Sequence, residues 1–187
     1  PSRIVIGQLD AGVLPDIAVG SLSAPAVFVL AGTGGGGFAP AQSVPVPDIV
    51  TDLAVGDLDR DGVADLVATI YYLNQFAVRR GLGGMTFGPV ATYTTERAPV
   101  AITLADVNGG GKLDAVALGS FSSVSVHMGN GDGTFGGRDG VPVGSQPWAV
   151  AAGDLDEDGH ADVVTANIAT STLSVARGRG DGTFDPP

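Results

Sequence analysis

The 187-residue chain repeats itself with a period of 48 or 49 residues, and that periodicity constrains the fold more than any local pattern. Asp57-Leu58-Asp59-Arg60-Asp61-Gly62-Val63-Ala64-Asp65 recurs as Asp106-Val107-Asn108-Gly109-Gly110-Gly111-Lys112-Leu113-Asp114 and as Asp154-Leu155-Asp156-Glu157-Asp158-Gly159-His160-Ala161-Asp162. A degenerate copy, Gln8-Leu9-Asp10-Ala11-Gly12-Val13-Leu14-Pro15-Asp16, stands near the start. Gly-rich turns ending at Phe38, Phe87, Phe135 and Phe184 keep the same beat, and Pro1, Pro99 and Pro147 each lie seven residues before a loop. Two markers in one register define four units.

Between the markers the texture is β-prone. Runs such as Asp-Leu-Val-Ala-Thr-Ile from Asp65 and Val124-Ser-Val-His-Met128 are short, rich in β-branched residues and bounded by turn residues. With a strand leading into each Asp loop and another after each Phe, a unit reads as four short antiparallel strands, which is a propeller blade. The expected fold is all-β, a β-propeller array of four blades over residues 1–49, 50–98, 99–146 and 147–187. The last unit is short, and its outermost strand is expected to be missing.

Of the 20 acidic residues 18 are Asp, and 12 of those fall in the four loops. Oxygen-bearing side chains at loop positions 1, 3, 5 and 9, a backbone carbonyl at 7 and Gly at 6 suit a hard divalent cation, since calcium takes six to eight oxygens. Unit 2 offers Asp57, Asp59, Asp61, the Val63 carbonyl and Asp65; unit 4 offers Asp154, Asp156, Asp158, the His160 carbonyl and Asp162. Four carboxylates in one turn repel each other without a cation, and a merely hydrophilic turn needs only one or two. Unit 3 is a third candidate with fewer charges: Asp106, Asn108, the Lys112 carbonyl and Asp114 remain, but Gly110 leaves position 5 to water. Unit 1, with Gln8 at position 1, Gly12 at 5 and Val13 at 6, is expected to bind nothing. Transition metals are disfavoured because His127 and His160 are the only imidazoles and there is no Cys.

These loops, as in Val55-Gly56-Asp57-Leu58-Asp59-Arg60-Asp61-Gly62, together with Gly129-Asn130-Gly131-Asp132-Gly133-Thr134-Phe135, resemble FG-GAP/VCBS repeats over essentially the whole chain. The resemblance implies a calcium-binding propeller like the head of integrin alpha chains. Related repeats occur in secreted bacterial proteins, mushroom lectins and accessory regions of some hydrolases and lyases. Propellers of this kind usually close with six to eight blades. An array of four either makes a small ring or exposes two apolar blade faces, and a head-to-tail homodimer closing an eight-bladed ring would cover them.

A net charge of -11 with nine Lys and Arg leaves no basic stripe for nucleic acid or an anionic membrane surface. The apolar stretches are far shorter than the roughly 20 residues that span a bilayer. No acid/base pair stands outside the loops, neither Glu96 nor Glu157 has an evident partner, and Gly34 to Gly37 opens no helix, so an enzyme is not expected. Trp148, the only Trp, could stack on a sugar, although filler between blades is the plainer reading; Tyr71, Tyr72 and Tyr93 pose the same choice. His127 reads as a blade-face residue, and Arg179-Gly180-Asp181 occupies the repeat place of Asn130-Gly131-Asp132 rather than marking adhesion. The function expected is a carbohydrate- or protein-binding, adhesion-type module in an extracellular or periplasmic compartment, where calcium is plentiful. The alternatives are a structural or assembly domain of a larger secreted protein and, third, a propeller polysaccharide lyase or hydrolase.

Overall fold

A computed structural model describes residues 1–10 and 12–187; Ala11, in the degenerate first loop, lies outside the described residues. The chain forms four small antiparallel sheets in sequence order. Blade 1 runs β1 (Ile4–Gly7), β2 (Asp16–Gly20) and β3 (Ala26–Leu30), then a ribbon of β4 (Gly32–Gly34) and β5 (Gly37–Phe38), then the outer strand β6 (Gln42–Pro45). Blade 2 contains β7 (Leu53–Gly56), β8 (Asp65–Ile70), β9 (Gln75–Gly81) and β10 (Phe87–Thr94). Blade 3 contains β11 (Pro99–Ala105), β12 (Asp114–Gly119), β13 (Ser123–Gly129) and β14 (Phe135–Pro142). Blade 4 has three strands, β15 (Pro147–Gly153), β16 (Asp162–Asn167) and β17 (Thr172–Ala176), after which Gly178 and Phe184 form a single bridge. The arrangement is that of a four-bladed β-propeller, as the repeat predicts. Among the described residues no helix is long and apolar enough to cross a membrane.

Successive blades are glued by apolar faces. Leu9, Ala18, Val27 and Val29 of blade 1 meet Leu53, Leu66, Ala68 and Ile70 of blade 2. Leu58, Val67, Phe76 and Val78 of blade 2 meet Ile102, Ala115, Ala117 and Phe135 of blade 3, and Val107, Val116, Val124 and Val126 of blade 3 meet Val163, Ala176 and Val150 of blade 4. The second residue after each final loop Asp therefore points to the following blade and the first to the preceding one. This explains a difference in the second strands. Those of the middle blades, β8 and β12, are buried at every residue because both faces are covered, whereas β2 and β16 contain partly exposed residues.

Two faces lack such cover. On blade 1, Ile4 and Ile6 pair across the sheet with Val19 and Ile17, which pair with Phe28 and Leu30, making one continuous apolar surface. On blade 4 the matching opposite face carries Val164, Leu173 and Val175. Position 2 of the loop reads the contrast directly: Leu9, Leu58 and Val107 are at most 4% exposed, but Leu155 is 59% exposed, with no further blade packed on it among the described residues.

The joint between blades 2 and 3 holds an aromatic cluster. Tyr93 stacks on Phe76 with ring centroids 5.0 Å apart, and His127 meets Phe76 edge-on at the same separation. His127 is buried and neither ring nitrogen has a partner among the described residues, so burial, helped by nearby Arg138, lowers its pKa from the usual imidazole value. The unfolded chain then binds a proton near pH 6.5 that the folded chain resists, so this contribution to stability is lost as pH falls below that point. Chemical denaturation at pH 7.5 and 5.5 should show a loss on acidification that is smaller in His127→Phe, which keeps the ring and removes the titration.

Candidate metal centre

Each Asp loop connects the first and second strands of a blade, and the Asp closing it is almost fully buried in all four copies. Its two oxygens do the same task each time. Asp16 accepts the backbone N–H groups of Leu9 at 2.8 Å and Gly32 at 2.9 Å; Asp65 accepts those of Leu58 at 2.9 Å and Gly81 at 2.8 Å. Asp114 likewise takes Val107 and Gly129, and Asp162 takes Leu155 and Gly178. The carboxylate thus staples loop position 2 to the end of the third strand. Burial pushes the Asp65 carboxyl up to about 6 against the pull of those two N–H donors, with Asp59 and Asp61 adding to the rise, and burial also raises Asp114.

Above the staple, the carboxylates of Asp57, Asp59 and Asp61 converge so that one oxygen from each lies within 4.8 Å of the others. The blade 4 group that meets the same limit is Asp154, Asp156 and Asp162. Asp57 also caps its own turn, accepting from the N–H groups of Asp61 and Gly62, while Asp61 accepts from Val63. Asp154 and Asp158 repeat this with Asp158, Gly159 and His160. Glycine at position 6 has φ of +87° in Gly62 and +89° in Gly159, a left-handed conformation that a side chain would strain. The structure therefore gathers three of the four expected carboxylates in each full loop; Asp65 is turned toward its staple partners and Asp158 lies outside the tight group, with the Val63 and His160 carbonyls at position 7 of the same turns.

One atom tests whether these residues fit a cation. Asp59 Oδ2 is paired with Arg80, but its Oδ1 is buried and has no hydrogen-bond partner among the described residues. A buried carboxylate oxygen without a donor is costly, and a hard divalent ion surrounded by oxygen ligands is the group that satisfies it. The donor set fits such an ion.

The other two loops close differently. In blade 3, Asp106 accepts from Asn108, Gly110 and Gly111, and Asn108 Oδ1 accepts from Gly110 at 2.8 Å, so backbone donors take up most of the oxygens that remain. Asp114 serves the staple and Lys112 supplies position 7. In blade 1 the Gln8 side-chain amide donates to the Gly12 carbonyl and, at 3.2 Å, to that of Leu14 at position 7. The amide uses the carbonyl that a cation would need.

Toward the opposite end of the inner strands, residues of β11 and β15 and of the segments preceding β1 and β7 line an open cavity of about 360 Å³. Trp148 lies there 65% exposed, so it is not buried filler, beside an ion pair between Arg3 Nε and Asp52 Oδ1 at 3.3 Å. Asp52 also accepts from the Ile102 N–H at 2.9 Å, which ties blade 2 to blade 3. The first-strand convergence that builds this mouth was not legible from one repeat alone. Tyr93, by contrast, is a joint residue whose hydroxyl accepts from the Phe135 N–H at 3.2 Å.

A family model for the FG-GAP-like repeat matches residues 10–68 and 106–165, more than half of the chain. No curated protein matches it. Among solved structures, an Agrocybe aegerita lectin described as specifically recognising non-reducing terminal N-acetylglucosamine is 25% identical, with a TM-score of 0.68 over 97% of this chain and 50% of its own. BBS1N, solved in complex with ARL6DN, is 12% identical with a TM-score of 0.66 over 100% of this chain and 52% of its own. The V. cholerae biofilm matrix protein Bap1 is 19% identical with a TM-score of 0.55, covering 97% of this chain and 29% of its own. The chain thus spans about half the length of the first two.

The staple can be separated from metal binding in blade 1. Asp16→Ala strands two N–H groups, at about 1 to 3 kcal/mol for each buried orphan. Urea unfolding should show a loss of about 2 to 6 kcal/mol that is the same in calcium and in chelator.

Proposed function

The chain belongs to the FG-GAP-like repeat family, and from that premise we propose that it is a calcium-stabilised β-propeller module that binds a carbohydrate ligand outside the cytoplasm. The observation that carries the calcium reading is the unpartnered, buried Asp59 Oδ1 within a convergent group of three carboxylates, repeated in outline by Asp154, Asp156 and Asp162. Oxygen-only ligation suits extracellular calcium concentrations, where modules of this kind have dissociation constants of about 0.1 to 1 mM. The ions would rigidify the loop end of blades 2 and 4. Ligand binding belongs to the other end, where an exposed indole beside the Arg3–Asp52 pair offers a sugar both a stacking face and hydrogen-bond partners. The likeness to a lectin supports a glycan over a protein ligand. With most Asp residues committed to the loops, we read the chain as a binding module and not as an enzyme.

The uncovered faces of blades 1 and 4 favour a second reading, that the chain also assembles. In blade-to-blade register they are the same two faces that bury each other at the three internal joints, so the occupant that fits both is a second copy placed head to tail, closing a ring of eight blades. Each large aliphatic side chain covered contributes about 1.5 to 3 kcal/mol.

Three measurements check these readings. Excess chelator should lower the melting temperature and added calcium should restore it; an unchanged curve, or restoration by magnesium alone, counts against calcium. Light scattering at micromolar concentration should give a dimer mass for the native chain and a monomer mass for Leu155→Asp, and a native monomer removes the ring. A glycan array probed with the native chain and with Trp148→Ala should show binding that the variant loses.

A further inference from the structure

The staple aligns the third strands of the four blades without ambiguity, because the N–H that reaches the buried Asp comes from Gly32, Gly81, Gly129 and Gly178. The residue just before that glycine is Ala31, Arg80, Met128 and Arg177 in turn. Its side chain lies beside loop position 3. In blade 2 Arg80 Nη2 contacts Asp59 Oδ2, and in blade 4 Arg177 Nε lies 3.7 Å from Asp156 Oδ2. In blade 3, where position 3 is the neutral Asn108, the arginine is replaced by Met128, and the Asn108 amide donates to its sulfur at 3.3 Å. Blade 1, whose loop Gln8 closes, has only Ala31. Arginine therefore accompanies the two complete loops and is absent from the two incomplete ones.

The pairing is more than charge balance on a surface. The Asp59 side chain is 6% exposed, and only one of its two oxygens is taken by the guanidinium. Arg80 is also confined from the far side. Gly133, in the Gly-rich turn of blade 3, sits so close that a Cβ there would meet Arg80 Cδ at 2.6 Å, and Gly182 of blade 4 lies in the same way over Met128. The turn of one blade thus fixes the side chain that addresses the loop of the blade before it. Arg177 has no such turn over it; it is 68% exposed and its contact with Asp156 is longer.

We propose that Arg80, by a direct hydrogen bond, and Arg177, by a longer ionic contact, are positioning residues for the cation, each set against one oxygen of the position-3 carboxylate so that the other is presented to the ion. A guanidinium on a ligating carboxylate opposes two effects. It repels the ion, and it spares the carboxylate from a second unpaired buried oxygen and from rotation. For outer-shell partners of metal ligands the second effect prevails, since their loss typically weakens binding by 10- to 100-fold. The assignment rests on the calcium reading above, and it adds that the blade 2 site depends on the blade 3 turn for its geometry.

The test is calcium titration calorimetry on the full chain. The native protein should show two sites. Arg80→Met, which copies the solution in blade 3, should weaken one site by about tenfold and leave the other unchanged, and Arg80→Lys should recover most of the loss. Arg177→Met, in the exposed setting, should move only the other site, and it serves as the second arm should Arg80→Met fail to fold in chelator. Unchanged or tighter binding in folded variants overturns the positioning role while leaving calcium binding intact. A native chain that takes up no calcium overturns the calcium reading and the positioning role with it.

Discussion

The buried carboxylate that closes each loop is the interaction on which the rest of the structure depends. A desolvated Asp must have its oxygens satisfied, and here the donors are two backbone N–H groups from segments far apart in sequence, one at loop position 2 and one at the end of the third strand. The bond pair fixes three things together: the path of the loop, the offset of the third strand against the second, and the inward placement of position 2, whose Leu or Val then enters the joint with the next blade. It is present in blade 1, where the metal pattern is gone. The staple is therefore made in every blade, whatever the carboxylate count of the loop around it.

Each loop faces the same electrostatic problem, a turn whose oxygens point inward, and the four copies solve it with different donors. Gln8 brings its own amide in blade 1. Backbone N–H groups suffice in blade 3, where Gly110 and Asn108 have lowered the charge. Blade 2 keeps a buried Asp59 oxygen that no described donor satisfies, with Arg80 on the other oxygen, whereas in blade 4 Asp154, Asp156 and Asp158 are exposed to solvent and Arg177 lies beside Asp156. Donor type and carboxylate count thus differ from blade to blade along the array.

Much of this was legible in the sequence. The 48- or 49-residue beat predicts the blades, and the alternation of Asp residues predicts that carboxylates converge, as Asp57, Asp59 and Asp61 do in blade 2 and Asp154, Asp156 and Asp162 in blade 4, because short-range spacing sets which side chains a tight turn can gather. The role of the closing Asp was not legible, since its partners Gly32, Gly81, Gly129 and Gly178 are placed by strand pairing, and the spacing to the third slips by one residue. That slip also hid the equivalence of Arg80, Met128 and Arg177. Trp148 eluded the sequence for another reason: whether an aromatic at a blade entry is covered depends on the neighbouring blade, and the axial mouth leaves this one exposed.

The joints are additive, each blade contacting its neighbours, so stability should accumulate from blade to blade as in other repeat proteins. Polar links across the joints are fewer but directional. Arg60 reaches the Gly111 carbonyl from one loop to the next, Asp52 ties β7's approach to the Ile102 N–H, and Thr51 donates to the Pro99 carbonyl at 2.9 Å. These run between blades 2 and 3, the joint that also holds the Phe76, Tyr93, His127 and Phe135 cluster and the Arg80 side chain under Gly133. Polar links cross the joint between blades 1 and 2 as well, where the Ala64 N–H donates to the Gln8 carbonyl and Arg3 pairs with Asp52. What sets the joint between blades 2 and 3 apart is the aromatic cluster beside the Arg80 side chain, so a cation in the blade 2 loop would act next to that cluster.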